Sequence, residues 1–362
     1  MWADYIQLAF LLSGFILMWK IPRFLKPFKG DVNTSKVSIL IPARNEEKRI
    51  EPLLQSIQAQ GFDGELIVID DESTDQTAAI ALKYGAKVIS SKPLPKGWRG
   101  KSWALYQGVE ASSHDVVMLL DADTHFEKDG IKKIIHLFYQ NETPLSIQPY
   151  HQMKRPYEQL SLMFNVVILM SSNLYTPFQT KLKPRVFYGP VQVMKKDDYH
   201  TVGTDKKVNS SVLDDIEMGK VFLEKGRPIR ALGGQGAVSF RMYPGGFKES
   251  VLGWSKSFAT GAKLIGFWNM LMVSLWITAI FSIIFRPLIL PEFTLLQGIV
   301  FIIAGVQLFW MGRRVGNFTF LTIVLYPLQA LYFLGVFGLS FIKTKFTKNV
   351  AWRGRNIDLG DE

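Results

Sequence analysis

The sequence predicts an α/β domain, built on a mixed and mainly parallel sheet, together with helices that enter a membrane. Two patterns indicate this architecture: strands alternate with helices in the first third of the chain, and long apolar runs occupy both ends. The composition agrees, because the 362 residues are 48% hydrophobic and 20% charged, with a mean hydropathy of +0.12. These values exclude a disordered or fibrous protein.

The alternation of strands and helices extends from residue 37 to residue 121. Short β-rich apolar runs that end in polar residues indicate strands, and apolar residues at helical spacing indicate helices. The predicted elements are, in order, strand Val37–Pro42, helix Glu47–Gln60, strand Leu66–Asp70, helix Thr74–Tyr84, strand Val88–Ser90, helix Ser102–Ala111 and strand Asp115–Asp121. This alternation is typical of parallel strands whose carboxyl ends share one edge of the sheet, where ligands bind.

The composition also excludes several kinds of site and partner. The chain has no cysteine and five histidines, so disulfides and thiolate metal sites are impossible and a polyhistidine metal centre is not expected. The net charge of +11 suits membrane lipid headgroups or a phosphorylated substrate. A nucleic-acid partner is not expected, because the aromatic residues concentrate in apolar runs and no basic-aromatic motif is present.

Residues 1–29 predict an N-terminal membrane anchor. Tyr5–Trp19 is almost uninterrupted apolar sequence, and basic residues follow it at positions 20, 23, 26 and 29. A cleaved signal peptide carries its basic residues before the apolar run, so we expect this segment to be retained. The positive charges then place residues 30–262 on the cytosolic side as a soluble domain.

Residues 263–342 predict a second membrane region. Leu264–Phe285 and Leu295–Gly312 are each able to span, and they form a hairpin over residues 264–312. The third apolar stretch, Phe318–Ile342, carries Pro327 near its middle and has basic residues on both flanks. One crossing would put one basic flank outside, so we expect a broken, re-entrant or in-plane element, with a third crossing as the alternative. The basic tail, residues 343–362, is then cytosolic, in a multi-pass protein of the cell membrane.

One further apolar stretch lies inside the soluble region. Leu160–Met170 is too short to span a membrane. A core helix and an interfacial helix that faces the bilayer are both compatible with this segment.

Three acidic clusters carry the candidate chemistry. They are Asp70–Ser73, Asp121–Asp123 and Asp214–Asp215, and the first two follow predicted strands. Each has a simple structural interpretation: a helix N-cap at Ser73 or Thr74, a solvated turn at 121–123, and acidic residues at a helix N-terminus at 214–215. The alternation of side chains along a strand would instead point Asp121 and Asp123 to one side, where they could chelate one hard divalent cation with phosphate oxygens.

The order of these clusters after Pro42–Glu47 resembles the family-2 glycosyltransferases of the GT-A (Rossmann-like) fold, over about residues 36–256. The resemblance implies that the first strand end and the Asp70–Ser73 turn hold the uridine, that Asp121 and Asp123 bind a divalent cation (Mg²⁺ or Mn²⁺), and that Asp215 is the base. Asp214 stands where the family usually has glutamate. Residues 97–101 match the family's Gly-Lys element. The resemblance assigns nucleotide-sugar binding to Pro42, Ala43, Arg44, Glu46, Asp70, Asp71, Lys101 and Asp121, and catalysis to Asp214 and Asp215.

A resemblance over nearly the whole chain rests on short motifs at 146–151, 240–243, 253–256, 313–316 and 352–355. They are similar to membrane glycosyltransferases of the diaponeurosporenoate type, which attach glucose to a carotenoid carboxylate, and more distantly to ceramide glucosyltransferases. The Q/R-x-x-R-W motif of such lipid-glycosylating relatives is represented here only by Gly253–Lys256. Membrane-surface anchoring is the alternative role for the basic motifs, and it is favoured for Arg313 and Arg314. The residues assigned to acceptor or diphosphate contacts are Arg241, Trp254, Lys256, Trp352, Arg353 and Arg355.

These resemblances imply a membrane-bound, inverting hexosyltransferase that uses a UDP-sugar as donor. The sugar implied is glucose, and the acceptor is lipophilic and reaches the enzyme from the bilayer. The acceptor implied is a carotenoid carboxylate, and the product a glycosyl ester. The alternative is transfer to another lipid hydroxyl or to a polyprenyl phosphate.

Overall fold

The computed structural model describes residues 2–173, 175–178, 186–204, 206–211, 214–255, 266–289, 294–346, 349–352 and 355–358. The chain divides into two compact units. One unit contains residues 23–150 and 185–241, and we call it the catalytic unit. The other contains residues 1–22, 151–184 and 242–362, and we call it the membrane unit.

The strands and helices of the structure have the following bounds. The strands are β1 Val37–Ala43, β2 Glu65–Asp70, β3 Lys87–Ser90, β4 Val116–Leu120, β5 Thr124–Phe126, β6 Leu145–Gln148, β7 Tyr150–His151, β8 Val191–Lys195, β9 Arg230–Gly233, β10 Val238–Phe240, β11 Asn349–Trp352 and β12 Arg355–Asp358. The α-helices are α1 Trp2–Leu17, α2 Glu47–Ala59, α3 Thr77–Lys83, α4 Gly100–Ala111, α5 Gly130–Tyr139, α6 Leu162–Ser171, α7 Lys196–Val202, α8 Lys206–Ser210, α9 Asp214–Glu224, α10 Phe247–Trp254, α11 Phe267–Ile289, α12 Leu295–Val315 and α13 Thr322–Phe346, and a 3₁₀ helix covers Pro156–Ser161.

A seven-stranded sheet of order β3-β2-β1-β4-β8-β6-β9 forms the centre of the catalytic unit. The pairs β1–β2, β1–β4, β2–β3 and β6–β9 are parallel, whereas β8 is antiparallel to both of its neighbours. The predicted mixed and mainly parallel sheet is therefore confirmed. The carboxyl ends of β1, β2 and β4 meet at one edge, where the first two acidic clusters follow β2 and β4.

Both faces of this sheet are covered, as expected for parallel strands. Along β1, Val37, Ile39 and Ile41 point into one buried cluster with the apolar stripe of α2. Leu40 points to the opposite face, where it packs with residues of α4 and α9. Full burial of a side chain of this kind contributes about 1.5–3 kcal/mol, so the two clusters hold the strand ends rigidly.

Two local predictions at this edge were wrong. Helix α3 begins at Thr77 instead of Thr74, and neither Ser73 nor Thr74 is its N-cap. Asp121–Asp123 lies in a turn after β4, in which the backbone N–H and hydroxyl of Thr124 both donate to the Asp121 carbonyl. Strand alternation therefore does not orient the two carboxylates; the turn does.

In the membrane unit, α1 packs antiparallel to α11 and also against α12. Asp4 forms an ion pair with Arg286 at one end, and Gly14 lies against the ring of Trp276 near the other. Between them, Gln307 donates to the Leu11 carbonyl at 2.7 Å and accepts from the Trp276 indole at 2.8 Å. These buried polar contacts join α1 to the hairpin of α11 and α12.

Helix α6 packs within the membrane unit, where it contacts the start of α11 and the end of α12. The Asn269 amide donates to the Ser171 carbonyl at 2.7 Å, and Leu162 contacts Gly312. Most of its side chains are buried. The segment is therefore a core helix of this unit.

The third apolar stretch forms one continuous helix, α13, so the expected break at Pro327 is wrong. The helix begins at Thr322, which places Pro327 in its second turn, where the missing proline N–H costs one hydrogen bond near the helix start. Within the described residues, three helices are long and apolar enough to cross a membrane: Phe267–Ile289, Leu295–Val315 and Thr322–Lys343. The segment Trp2–Leu17 is apolar but shorter. The tail adds a β-hairpin, β11–β12, that was not predicted.

Candidate active site

Two adjacent loops at the carboxyl edge are hydrogen-bonded to each other. They follow β1 and β2, and each contains a residue in the left-handed region, Asn45 with φ 52° and Glu72 with φ 57°. The Asn45 backbone N–H donates to Ser73 Oγ at 3.0 Å, and Asn45 Oδ1 accepts from the Thr74 N–H at 2.8 Å. The Glu46 N–H donates to Thr77 Oγ1 at 2.8 Å. The loops therefore form one rigid rim.

Arg44 and the Asp70–Asp71 pair belong to this rim. The Arg44 guanidinium donates to the Asp71 carbonyl at 2.6 Å and lies 3.2 Å from a Glu72 carboxylate oxygen. Asp70 accepts from the Ser73 N–H at 3.2 Å, which stabilises the turn itself. The Asp71 side chain is largely buried at the base of the rim. These groups offer hydrogen-bond donors and acceptors in fixed positions.

A cluster of carboxylates surrounds Lys101 a short distance along the same edge. Lys101 lies in the first turn of α4, and its Nζ is 2.6 Å from Asp121 Oδ1. Asp214 and Asp215 open helix α9, and each accepts from the backbone N–H of the residue that follows it. A methyl group added at Gly189 would lie 3.4 Å from Lys101 Nζ and 3.5 Å from Asp215 Cβ, so the ammonium and this carboxyl group flank the same glycine. We call Asp121, Asp123, Asp214 and Asp215 with Lys101 the carboxylate cluster.

The pKa values of three aspartates in the cluster are raised, because these carboxyl groups are buried close to one another. Burial, reinforced by the charge of Asp121, raises the pKa of Asp123 to about 6. Burial and then the charge of Asp214 raise the pKa of Asp215 to about 6, and burial raises the pKa of Asp214. Burial would lower the pKa of Lys101, but Asp121 and Asp214 outweigh it and raise that pKa overall. The lysine therefore stays charged, and the cluster has more negative than positive groups.

This donor set fits a hard divalent cation. Asp121 and Asp123 supply carboxylate oxygens, and their mutual repulsion is the electrostatic condition that a cation relieves. Among the described residues no group of three or more acidic or histidine side chains could hold a metal alone. Mg²⁺ and Mn²⁺ are suited to such a site, because one or two carboxylates together with substrate phosphates complete their coordination.

The residues predicted to contact the acceptor or diphosphate lie on other elements of the chain. Arg241 directly follows β10. Trp254 ends α10 in the membrane unit, where its ring stacks on Phe164 with 4.7 Å between centroids. Trp352 and Arg355 lie in the tail hairpin. Lys256 and Arg353 fall outside the described residues.

Sequence reasoning missed two features that assemble the cluster. Asp121 donates its backbone N–H to the Pro190 carbonyl at 2.9 Å, which joins the 121–123 turn to the start of β8 beside Gly189. The backbone N–H and Nε of Arg99 donate to the carbonyls of Asn209 and Ser210, each at 2.8 Å. This second contact ties the segment before Lys101 to the segment before Asp214. The Gly-Pro pair before a strand was a visible signal for the first feature; nothing local signalled the second.

Comparison with known proteins agrees with this fold. A family model described as Glycosyl transferase family 2 matches residues 38–203. The 4,4'-diaponeurosporenoate glycosyltransferase of Staphylococcus haemolyticus is 33% identical over 360 residues, which cover 96% of both chains. The protein of that name from Staphylococcus aureus strain MRSA252 is 35% identical over 346 residues, covering 93% of this chain and 92% of the relative.

A solved structure shares the fold. The mannosyltransferase PcManGT from Pyrobaculum calidifontis, in complex with GDP-Man and Mn²⁺, covers 95% of this chain and 99% of its own, with a TM-score of 0.54 and 16% identity. The sheet is mixed, acidic clusters lie at its carboxyl edge, and the relatives match nearly the whole chain. The protein therefore belongs to glycosyltransferase family 2 and is a glycosyltransferase of the GT-A fold.

Proposed function

We propose that the protein transfers glucose from UDP-glucose to the carboxylate of a diaponeurosporenoate-type carotenoid and forms a glycosyl ester with inversion at the anomeric carbon. The observation that carries the proposal is the assembly of Asp121, Asp214 and Asp215 around one ammonium group at the carboxyl edge of the sheet. A nucleotide sugar needs both a site for its diphosphate and a group beside the reacting carbon, and this cluster offers both.

The donor binds along the edge in this proposal. The hydrogen-bonded rim, with Pro42, Ala43, Arg44, Glu46, Asp70 and Asp71, holds the uridine. Asp121 and Asp123 hold a divalent cation, which when bound neutralises charge on the diphosphate leaving group. Lys101 keeps its proton and would neutralise further charge there, since its Nζ lies 2.6 Å from Asp121, one of the two proposed cation ligands.

The acceptor oxygen attacks from the face of the sugar opposite the diphosphate, in a single displacement. A carotenoid carboxylic acid with a pKa of about 4–5 is ionised at neutral pH and needs no base. Asp215 then orients the acceptor or the donor sugar, with Asp214 beside it. With a hydroxyl acceptor, Asp215 would take the proton instead, and its pKa of about 6 leaves it mostly ionised at pH 7.

The names of the two staphylococcal relatives support the carotenoid acceptor, and the apolar helices supply a reason for a lipophilic one. An apolar polyene partitions into the bilayer, so the enzyme that modifies its end gains from remaining at the membrane surface. Arg241, Trp254, Lys256, Trp352, Arg353 and Arg355 remain proposed contacts for the acceptor or the diphosphate.

The proposed topology places the catalytic unit and the tail in the cytosol, where nucleotide sugars are made. The contacts of α13 support an in-plane helix: Gln329 donates to the Gln159 carbonyl, Tyr332 hydrogen-bonds Ser250 and Lys343 donates to Ser255 Oγ. These contacts, at residues 329, 332 and 343, hold α13 beside the 3₁₀ helix and the end of α10 over most of its length. A reporter fused after residue 362 should be cytosolic, and an external reporter would show that α13 crosses.

The function is tested with the purified full-length protein in nanodiscs. UDP-glucose and other UDP-sugars are incubated with diaponeurosporenoate, with a hydroxylated lipid and with a polyprenyl phosphate, and the products are identified by mass spectrometry. The proposal expects a glucosyl ester of the carotenoid acid. A product formed on the hydroxyl lipid or the polyprenyl phosphate alone would replace the proposed acceptor while retaining the enzyme class.

A further inference from the structure

The loop between β3 and α4, residues 91–99, carries an exposed surface at residues 92–96 that the proposed chemistry does not use. Its centre reads Lys92-Pro93-Leu94-Pro95-Lys96. Leu94 is 41% exposed, and both lysines are exposed. A single exposed leucine is ordinary on a protein surface. Here, however, Leu94 is flanked by two prolines and then by two lysines, so an apolar side chain lies between two positive charges.

The loop is held in place by the helix behind it. The Lys92 backbone N–H donates to Gln107 Oε1 at 2.8 Å, and the Lys92 carbonyl accepts from the Trp103 indole at 2.9 Å. The Trp98 N–H closes a turn onto the Pro95 carbonyl at 3.2 Å. Each proline also restricts its own backbone. Leu94 is therefore presented outward by an ordered loop and does not fold back onto the sheet.

Three aromatic rings stand directly behind the tip. Trp98 contacts Trp103 with 5.1 Å between centroids and Tyr106 with 5.3 Å, and all three residues are half-buried. Tryptophan and tyrosine are enriched where one side of a group is apolar and the other is wet, as at membrane surfaces. The loop and the start of α4 thus place aromatic, aliphatic and basic groups side by side, as membrane-contacting surfaces do.

The loop also projects from the edge of the sheet that carries the active site. Ser90 pairs with Asp70 in the sheet, and the Ser91 N–H donates to the Asp70 carbonyl at 2.9 Å. At its other end the loop leads into α4 and Lys101. A lipophilic acceptor has to reach this edge from the bilayer, so the edge faces the membrane during the reaction; this step rests on the proposed function.

We propose that residues 91–99 form a membrane-docking loop that binds the anionic lipid surface. Leu94 enters the boundary between headgroups and acyl chains, Trp98 lies at headgroup level, and Lys92 and Lys96 meet lipid phosphates. A lysine near an anionic membrane surface strengthens association by about fivefold. Docking holds the carboxyl edge against the bilayer, where the acceptor is dissolved.

The absence of cysteine makes the test direct, because one introduced thiol can be labelled alone. The full-length Leu94→Cys variant, carrying an environment-sensitive fluorophore, is placed in nanodiscs of phosphatidylcholine with or without phosphatidylglycerol. Leu82→Cys is the matched control, since Leu82 is 61% exposed on α3, away from the carboxyl edge. Lipids with a nitroxide near the headgroup should quench the label at position 94 at least about twofold more than the label at 82, and more strongly with phosphatidylglycerol.

Charge reversal supplies the second measurement. Lys92→Glu/Lys96→Glu in the Leu94→Cys background should reduce the quenching to the level of the control, while UDP-glucose affinity by calorimetry stays unchanged. Equal quenching at 94 and 82, or quenching that charge reversal leaves intact, would overturn the docking proposal. The proposal would also be overturned if, in detergent without lipid, the fluorophore at position 94 changed its emission on addition of UDP-glucose. Such a result would show that the loop closes over the donor. If the label at position 94 is quenched as expected but no carotenoid product forms, the docking proposal stands and the proposed acceptor is wrong.

Discussion

Two neighbouring parts of one sheet edge are stabilised in opposite ways. The rim after β1 and β2 is joined by hydrogen bonds between Asn45, Ser73 and Thr74, and its charged groups pair with one another, since Arg44 lies 3.2 Å from Glu72. The carboxylate cluster at the same edge holds an excess of negative charge, balanced in part by Lys101. The rim is held by its own hydrogen bonds, whereas binding of a cation would stabilise the cluster by reducing the repulsion between its carboxylates. One part of the edge is therefore preorganised for recognition, and the part beside it favours a cation.

The largest expected effect comes from removing a carboxylate of the cluster. Asp123→Ala should abolish transfer, a loss of at least about 10³-fold, because it removes half of the proposed cation site. The protein should still fold and insert. Activity is measured with UDP-glucose, and Mn²⁺ affinity by calorimetry in the presence of UDP. Exposed Asp31→Ala is the control. Retained activity in the variant, or EDTA-insensitive transfer by the parent, would remove the cation from the mechanism.

Asp215→Asn sharpens the comparison within the cluster. With a hydroxyl lipid the loss should be at least about 10²-fold, the usual contribution of a positioned base. With the carotenoid carboxylate the loss should be smaller, unless UDP-glucose affinity falls in parallel. Single-turnover rates with each acceptor and calorimetry for the donor separate these cases. A thousandfold loss on the carboxylate at unchanged donor affinity would contradict the role given to Asp215.

The same residue predicts a pH dependence. Its pKa of about 6 lies above the ordinary aspartate value, so the folded protein keeps this proton until the pH rises past about 6. Transfer to a hydroxyl acceptor should therefore increase with pH through about 6, since the base must be ionised. The Asp215→Asn variant should lack this increase. Between about pH 4 and pH 6 the folded state binds more protons than the unfolded state, so this group makes the protein less stable as the pH rises.

Arg99→Ala probes the contact that aligns the two halves of the cluster. It removes the bond from Nε to the Ser210 carbonyl and leaves the backbone bond to Asn209. We expect kcat to fall about tenfold with little change in KM for the donor, because misalignment affects the reacting geometry more than the rim. Arg99→Lys keeps the charge and should recover only part of the loss. An unchanged kcat in Arg99→Ala would show that the cluster aligns itself.

The smallest effect is expected at the rim. Asn45→Ala removes the acceptor for the Thr74 N–H and places alanine in the left-handed region, so it should cost about 1–2 kcal/mol of stability. Asn45→Gly loses the hydrogen bond but tolerates the backbone, and should cost less. Thermal unfolding measures both. Mn²⁺ affinity should stay at the parental value, and a parallel loss of metal binding would show that rim and cluster are not independent.

Much of this edge could be predicted from local patterns. The apolar runs that end at Ala43 and Asp70 predict strands because burial on both faces demands continuous apolar sequence. The order of the acidic clusters after them identified the family and the residues of the cluster. Helix boundaries were less predictable: α3 starts late because Thr77 Oγ1 and Asp75 are engaged by the neighbouring loop, a contact that local sequence does not encode.

In the membrane unit, Leu295–Val315 appeared in the sequence almost as it does in the structure, since length and hydropathy are properties of the segment alone. Pro327 misled the prediction, because its effect depends on where the helix begins, and Thr319 just before the helix donates its N–H to the distant Gln159 side chain at 3.1 Å.

The sequence by itself determined the fold class, the enzyme family and the identity of the acidic residues, because strand periodicity and motif order are local in the chain. The tertiary structure alone decided how those residues meet. Asp121 and Asp123 are oriented by a turn bonded to Pro190, and Lys101 is aligned with Asp214 and Asp215 through Arg99 and Gly189. These contacts join segments far apart in sequence, and the charge they concentrate, which raises the pKa of Asp123 and Asp215, exists only once the chain has folded.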